Sequence, residues 1–242
     1  MSVPRFHCAQ LLTAGQTISL PADVFHHAIR VRRLRTGDAL ILFAGDGHEA
    51  AASLVAVSRD GADAAIASVA HVNRESPLHV TLLQGISAGD RMDYTLQKAV
   101  ELGVMAIVPV TAQRSVVRLD RDRADKRIAH WRQVVIGACE QSGRNRIPDV
   151  LPVAALADAL TAVSAATRLM LSFEGGARLR DLRAPDARIA LLAGPEGGLA
   201  ADEERAARAA GFAPLSLGPR VLRTETAAVA ALAAMQALWG NG

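Results

Sequence analysis

The chain has 242 residues, 50% of them apolar and 21% charged, the balance of a globular protein that buries a substantial core rather than of a disordered chain. The longest apolar run, 227–238, is broken by Gln236 and is too short to cross a bilayer, and residues 1–10 carry no export signal, so a cytoplasmic protein is expected. Net charge is only +3, and Cys8 and Cys139 stand apart without a CxxC or a His pair, which argues against a disulfide framework or a zinc site.

A helical piece is predicted over 21–31, with Val24, His27 or Ala28, and Val31 on one stripe. Alternating apolar runs at 39–44, 49–57 and 64–72 follow, broken by Gly37-Asp38, Gly45-Asp46-Gly47 and Asp60-Gly61. Together they predict a small antiparallel barrel. Composition turns polar at 73–77, which places a domain boundary there and gives two domains, 1–73 and 74–242.

Beyond Pro77 strands and helices alternate, the signature of an α/β sheet. Strands are predicted at 79–86, 104–110, 168–173, 188–193 and 214–217. A helix is predicted at 91–102, with Asp90 as its N-cap, the stripe Met92, Leu96, Ala99 and Val100, and Gly103 as its stop. A second covers 124–141, with Ile128, Trp131, Val135 and Ala138 inward. The last, 225–238, is apolar on every side and therefore needs cover on every side, from a partner subunit, an enclosing loop, or both.

Three segments are candidates for chemistry. Gly194-Pro195-Glu196-Gly197-Gly198 follows a predicted strand, where ligands gather in open α/β sheets, but it is neither a GxGxxG fingerprint nor a phosphate loop, since the required Lys is absent. A plain tight turn is the competing reading. Leu217-Gly218-Pro219-Arg220-Val221-Leu222-Arg223-Thr224 links the final strand to the final helix; Thr224 has a capping explanation, whereas Arg220 and Arg223 call for anionic or carbonyl partners. The third, 139–148, gathers Gln141, Arg144, Asn145 and Arg146 in the most basic stretch of the chain, 112–146, where nine basic residues face four acids. Arg144 and Arg146 have no acidic residue beside them in sequence and read as phosphate contacts; the alternating charges at 118–127 read equally as a solvated face. No Ser-His-Asp set or HExxH occurs, and His26 and His27 point about 100° apart on a helix, so hydrolytic and metal chemistry recede.

The sequence resembles the ribosomal RNA small subunit methyltransferase E family of the SPOUT superfamily. The resemblance rests on Arg91-Met92 with Gln97-Lys98 and Glu101-Leu102-Gly103-Val104, on 140–146, on 194–198 and on 217–227, in the right order over nearly the whole chain. It implies a C-terminal SPOUT domain with a deep trefoil knot, a small N-terminal PUA-like barrel, a homodimer, and S-adenosylmethionine-dependent methylation of N3 of a uridine in 16S rRNA, without metal or membrane.

By the same resemblance the cofactor would meet Leu171, Ser172, Gly194, Pro195, Glu196, Gly197, Leu217, Gly218, Val221, Leu222 and Thr224. Arg223 would stabilise the charge developing on the uracil and Glu196 would accept the imide proton, with Glu225 as a rival. RNA contacts are expected from Arg144, Asn145, Arg146, Arg114, Arg118, Arg32 and Arg33. The alternatives are a SPOUT ribose 2'-O-methyltransferase and a non-catalytic RNA-binding ribosome-assembly factor.

Overall fold

The computed structural model describes residues 3–117, 120–185 and 188–241. The chain divides into two compact units, one made of the residues up to Glu75 together with Cys139–Ile147, the other of Ser76–Ala138 and the residues from Pro148 onward.

In the first unit, strands β1 (Arg5–His7), β2 (Thr17–Ser19), β3 (Ala39–Phe43), β4 (His48–Val57) and β5 (Ala62–His71) form a sheet in the order β1-β3-β4-β5-β2. The turn signals at Gly45 to Gly47 and at Asp60-Gly61 produce the antiparallel meander β3-β4-β5. β1 departs from the antiparallel expectation by pairing parallel to β3. It is three residues long, too short for its alternation to stand out, and the chain passes through β2 and a helix before β3.

That helix differs from the predicted one. One α-turn, α1 (Ala22–Phe25), runs into a π-helical stretch at His26–Val31, where Arg32 N–H reaches His27 O. Val24 and Ala28 are buried as the stripe requires, but the wider π-turn carries Val31 out of it, to 54% exposure.

In the second unit, β6 (His79–Gly85), β7 (Ala106–Thr111), β8 (Asp149–Val150), β9 (Ala154–Ala155), β10 (Thr167–Leu171), β11 (Arg188–Ala193) and β12 (Ala213–Leu215) form a parallel sheet. Its order is β12-β10-β11-β6-β7-β8, with β9 also on β7. The helices are α2 (Asp90–Glu101), α3 (Arg121–Ser142), α4 (Leu156–Ala162), α5 (Ala201–Ala209) and α6 (Thr224–Trp239).

Leu83, Val110, Met170, Ala190 and Leu192 pack with α4 and α5 residues such as Leu160 and Ala207. Alternate positions on the same strands, Leu82, Leu169 and Leu191, are also buried, and so point to the opposite side of the sheet. α2 packs against α6, which also touches β11. A sheet covered on both faces explains why β11 is buried over five consecutive residues.

The predicted stripes of α2 and α3 are buried throughout. The α2 cap differs: Gly89 is the N-cap, and Asp90 is already helical. Thr224 likewise is the first helical residue of α6 and does not cap it; Arg223 takes the cap position without a side-chain bond. On α6 Ala228, Ala231, Leu232 and Met235 face the interior. Ala233, Ala237 and Leu238 lie on its exposed side.

Candidate active site

β10, β11 and β12 end side by side at a cavity of about 300 Å³ in the second unit. Leu171 and Ser172 come from the end of β10, and Gly194, Pro195, Glu196 and Gly197 from the loop after β11. Leu217, Gly218, Val221, Leu222 and Thr224 come from the segment between β12 and α6. The fold thus brings together, around one cavity, every residue singled out for the cofactor, as well as Arg223. Arg91, Phe173, Arg220, Glu204 and Glu225 complete the polar and aromatic part of the wall. Phe173 and Glu204 had no signal in the sequence, since neither belongs to a glycine turn or a paired motif.

The loop after β11 keeps its shape through backbone packing. A Cβ on Gly85, at the end of β6, would lie 2.3 Å from the Pro195 nitrogen, so the two backbone segments approach as only glycine permits. The Thr224 hydroxyl donates to Gly194 O at 2.6 Å and accepts from the fully buried Gln84 amide at 3.2 Å. This buried contact, not a helix cap, is the role of Thr224. It ties the first turn of α6 to the glycine loop and to the central strand.

Glu196 is anchored on one side. Its Oε1 accepts the Ala88 backbone N–H at 2.8 Å and Arg91 Nη1 at 3.3 Å. Its Oε2 is buried without a hydrogen-bond partner among the described residues, as is Glu225 Oε2. Arg223 and Arg220 are exposed on the cavity wall and make no ion pair among the described residues.

Gly197 is crowded from outside the cavity as well. A Cβ there would meet Arg114 Cβ at 2.8 Å, so the position is small because another chain segment lies on it. A Gly197→Val change would therefore displace Arg114 as well as any ligand.

The residues expected to touch RNA fall into distinct settings. Arg144 is buried and forms an ion pair with Glu75. Asn145 is buried, donates to Glu49 Oε2 at 3.1 Å and to Val72 O at 3.0 Å, and accepts from Arg5 at 2.5 Å. Both polar groups are engaged within the first unit, which gives each a structural role beside the direct RNA contact expected of it. The acidic partner of Arg144 lies 69 residues away in sequence, which is why no neighbouring charge announced it.

Arg146, Arg32 and Arg33 are exposed. Arg33 is held at φ +59, in the left-handed region. Arg114 is exposed and donates to Gly197 O at 3.2 Å. Arg118 lies outside the described residues.

Glu49 is the centre of the network in the first unit. Arg74, with Arg5 and Asn145 adding to it, outweighs the desolvation of burial and holds the Glu49 carboxyl down at about 2. Burial pushes the Cys139 thiol up to about 12 and also raises Cys8. Both cysteines are free and buried, the environment of an unreactive thiol. Among the described residues no helix is long and apolar enough to cross a membrane.

Residues 74–236 match the RNA methyltransferase domain, and residues 20–67 match the RNA methyltransferase PUA domain. The ribosomal RNA small subunit methyltransferase E of Bacillus subtilis is 34% identical over 236 residues, 93% of this chain and 92% of that protein. The protein of the same name from Mycobacterium tuberculosis is 35% identical over 239 residues, 96% of this chain and 91% of that protein. Among solved structures, the ribosomal RNA small subunit methyltransferase E of Neisseria gonorrhoeae bound to S-adenosyl methionine matches with a TM-score of 0.93 and 46% identity over 99% of both chains. A Legionella pneumophila methyltransferase in complex with its cofactor SAM matches with a TM-score of 0.96 and 40% identity, again over 99% of both. With both domains matched and relatives aligned over nearly its full length, this chain belongs to the RNA methyltransferase family, among the ribosomal RNA small subunit methyltransferase E proteins.

Proposed function

We propose that the protein transfers a methyl group from S-adenosylmethionine to N3 of a uridine in 16S rRNA, and that the cavity at the ends of β10, β11 and β12 is where it does so. The observation that carries this reading is the convergence of three sequence-distant segments, 171–172, 194–197 and 217–224, on one cavity. The wall suits the cofactor. Leu171, Leu215, Leu217 and Leu222 offer apolar surface for an adenine, the glycine loop offers backbone groups for its edge, and Glu196, Glu204 and Glu225 offer acceptors for cationic and N–H groups. Buried oxygens without partners on Glu196 and Glu225 are acceptors for which a ligand can supply the donor.

When bound, S-adenosylmethionine supplies a methyl group carried on a sulfonium. The protein must position the uracil and manage the imide proton, because neutral N3 is a poor nucleophile. Glu196 is held by Ala88 N–H and Arg91 through Oε1, which leaves Oε2 to take the proton from N3. Arg223, exposed at the start of α6 and part of the cavity wall, stabilises in this reading the negative charge that the uracil oxygens acquire. Holding two substrates in register supplies a further part of the acceleration.

The same proposal includes the deep trefoil knot. α6 packs both on α2 and on the 3₁₀ turn Leu179–Asp181, which belongs to the chain between β10 and β11. That is the neighbourhood expected of a helix drawn through a loop. The barrel form of the first unit, a homodimer using the outer side of α6, and RNA contacts from Arg146, Arg32 and Arg33 complete the proposal.

The test is mass spectrometric mapping of 16S rRNA from a strain lacking this protein, before and after treatment with the protein and S-adenosylmethionine. A methyl group on uracil N3 is expected; one on a ribose 2'-oxygen would replace the base by the sugar as target. Leu217→Glu, which puts a carboxylate on the apolar wall at a partly exposed position, should weaken cofactor binding in calorimetry by at least about tenfold, or about 1.4 kcal/mol. Absence of cofactor binding by the wild-type protein would leave the non-catalytic binder.

A further inference from the structure

A turn outside the cavity wall grips the glycine loop. After β7 the chain makes a tight turn in which Ser115 N–H donates to Ala112 O at 3.0 Å and Ser115 Oγ accepts Ala112 N–H at 3.1 Å. Hydrogen bonds and packing join its tip to the loop after β11 and to the start of α5. Gln113 N–H donates to Glu203 Oε1 at 2.7 Å, and the Gln113 side-chain amide donates to Asp202 Oδ2 at 2.5 Å. The other Glu203 oxygen accepts Ala200 N–H at 2.8 Å, so one carboxylate bridges the two segments. Arg114 Nη1 donates to Gly197 O at 3.2 Å, and Arg114 Cβ occupies the space that a side chain at 197 would need.

The loop held in this way is itself a turn, closed by Gly198 N–H to Pro195 O at 2.9 Å, with Gly198 at φ +68. Such a turn has few side chains of its own to fix it. Backbone freedom at glycine is the greatest of any residue, and ordering each residue carries an entropic cost. An external brace that orders the loop beforehand removes that cost from ligand binding.

We propose that the turn at residues 112–115 is a latch that pre-forms the glycine loop for the cofactor, with Gln113, Arg114 and Glu203 as its positioning residues. The proposal rests on the reading of the cavity as the S-adenosylmethionine site. It gives Arg114 a role other than a direct contact with RNA, since one guanidinium N–H is spent on the loop carbonyl. None of these three residues lines the cavity, so each acts through residues 194–200 and not on the ligand. Lowering of the Asp202 carboxyl below its usual range, chiefly by the Gln113 amide, accords with a formed contact there.

The latch is tested by amide hydrogen exchange across 194–200, by calorimetry with S-adenosylmethionine, and by separate kcat and KM for the cofactor, in the wild type and in Gln113→Ala, Arg114→Ala and Glu203→Ala. Arg114→Ala and Gln113→Ala each remove an exposed side chain, and unchanged circular dichroism and Tm guard against loss of fold. Expected are exchange about tenfold faster at Gly197 and Gly198, cofactor Kd and KM raised about 3- to 30-fold, and kcat nearly unchanged, the range for one or two charge-assisted hydrogen bonds. Glu203→Gln, which keeps one acceptor, should recover part of the affinity that Glu203→Ala removes.

Exchange and affinity unchanged in both Gln113→Ala and Arg114→Ala would overturn the latch, as would faster exchange with unaltered affinity. A fall in kcat with unaltered KM would also overturn it. If the wild-type protein takes up no S-adenosylmethionine, the proposed function fails, while loop exchange in the variants still decides whether the latch holds the loop.

Discussion

Glu49 shows how one carboxylate can organise a unit. Arg5 and Arg74 lie 2.7 and 2.8 Å from its Oε2, and the Asn145 amide lies 3.1 Å away. Its carboxyl falls from an ordinary 4.5 to about 2 because these donors favour the charged form over the penalty of burial. A depressed folded-state value means that the stabilisation is complete above about pH 4.5 and is lost as the pH falls toward 2. Glu49→Gln should therefore destabilise the protein at pH 7 and flatten the acid limb of its stability between those values, as read by urea unfolding at several pH values.

Arg144 and Arg146 give the complementary contrast. Arg144→Ala leaves the partly buried Glu75 without its ion-pair partner and should cost about 2–4 kcal/mol, whereas Arg146→Ala, at an exposed position, should leave stability within about 0.5 kcal/mol. Equal effects in chemical denaturation would contradict the structural role given to Arg144.

Among the elements, α6 carries the most information. Its sequence has no polar stripe, and it covers its inner side with Ala228, Ala231, Leu232 and Met235 against α2 and the sheet. Gln236, polar and nearly buried, is satisfied by Ser76 Oγ at 2.8 Å and Leu102 O at 2.8 Å, so the break in the apolar run is a docking point. Ala233, Ala237 and Leu238 remain exposed on the other side. If that side meets a second copy of the chain, Ala233→Arg should convert a species of twice the 25.4 kDa chain mass to a monomer in sedimentation, with the melting temperature little changed. Leu232→Arg should instead unfold the subunit, because it buries an unpaired charge. A wild-type protein that sediments as an active monomer would remove the dimer from the proposal.

At the scale of the molecule, a formal charge of +3 is too small to bind a polyanion by itself, and the exposed arginines must do so locally. With Arg144 and Asn145 engaged internally, Arg32, Arg33 and Arg146 are the exposed residues proposed above for phosphate contact. Binding of an rRNA fragment should weaken with salt, and the triple change of these residues to Ala should lower the slope of log K against log salt by about 2–3, roughly 0.7–0.9 for each phosphate no longer neutralised. Cofactor affinity should stay within about twofold, since none of the three lines the cavity. An unaltered slope would move the RNA surface elsewhere.

The sequence by itself determined the elements whose periodicity is long and whose burial is uniform: the stripes of α2 and α3, the two-sided strand β11, the apolar α6, and the glycine segments that identify the family. Those signals are local, because a residue's place on a helix or strand follows from its neighbours at intervals of two to four. Short elements such as β1, β8, β9 and α4 had too few residues to show a period, and the π-turn changed the period midway through its helix. Only the tertiary structure decided which polar group answers which. Glu75 meets Arg144 across 69 residues, Thr224 meets Gly194 across 30, and Gln113 meets Glu203 across 90. A buried polar group needs a partner but does not specify from where along the chain it must come, and chain closure makes that choice.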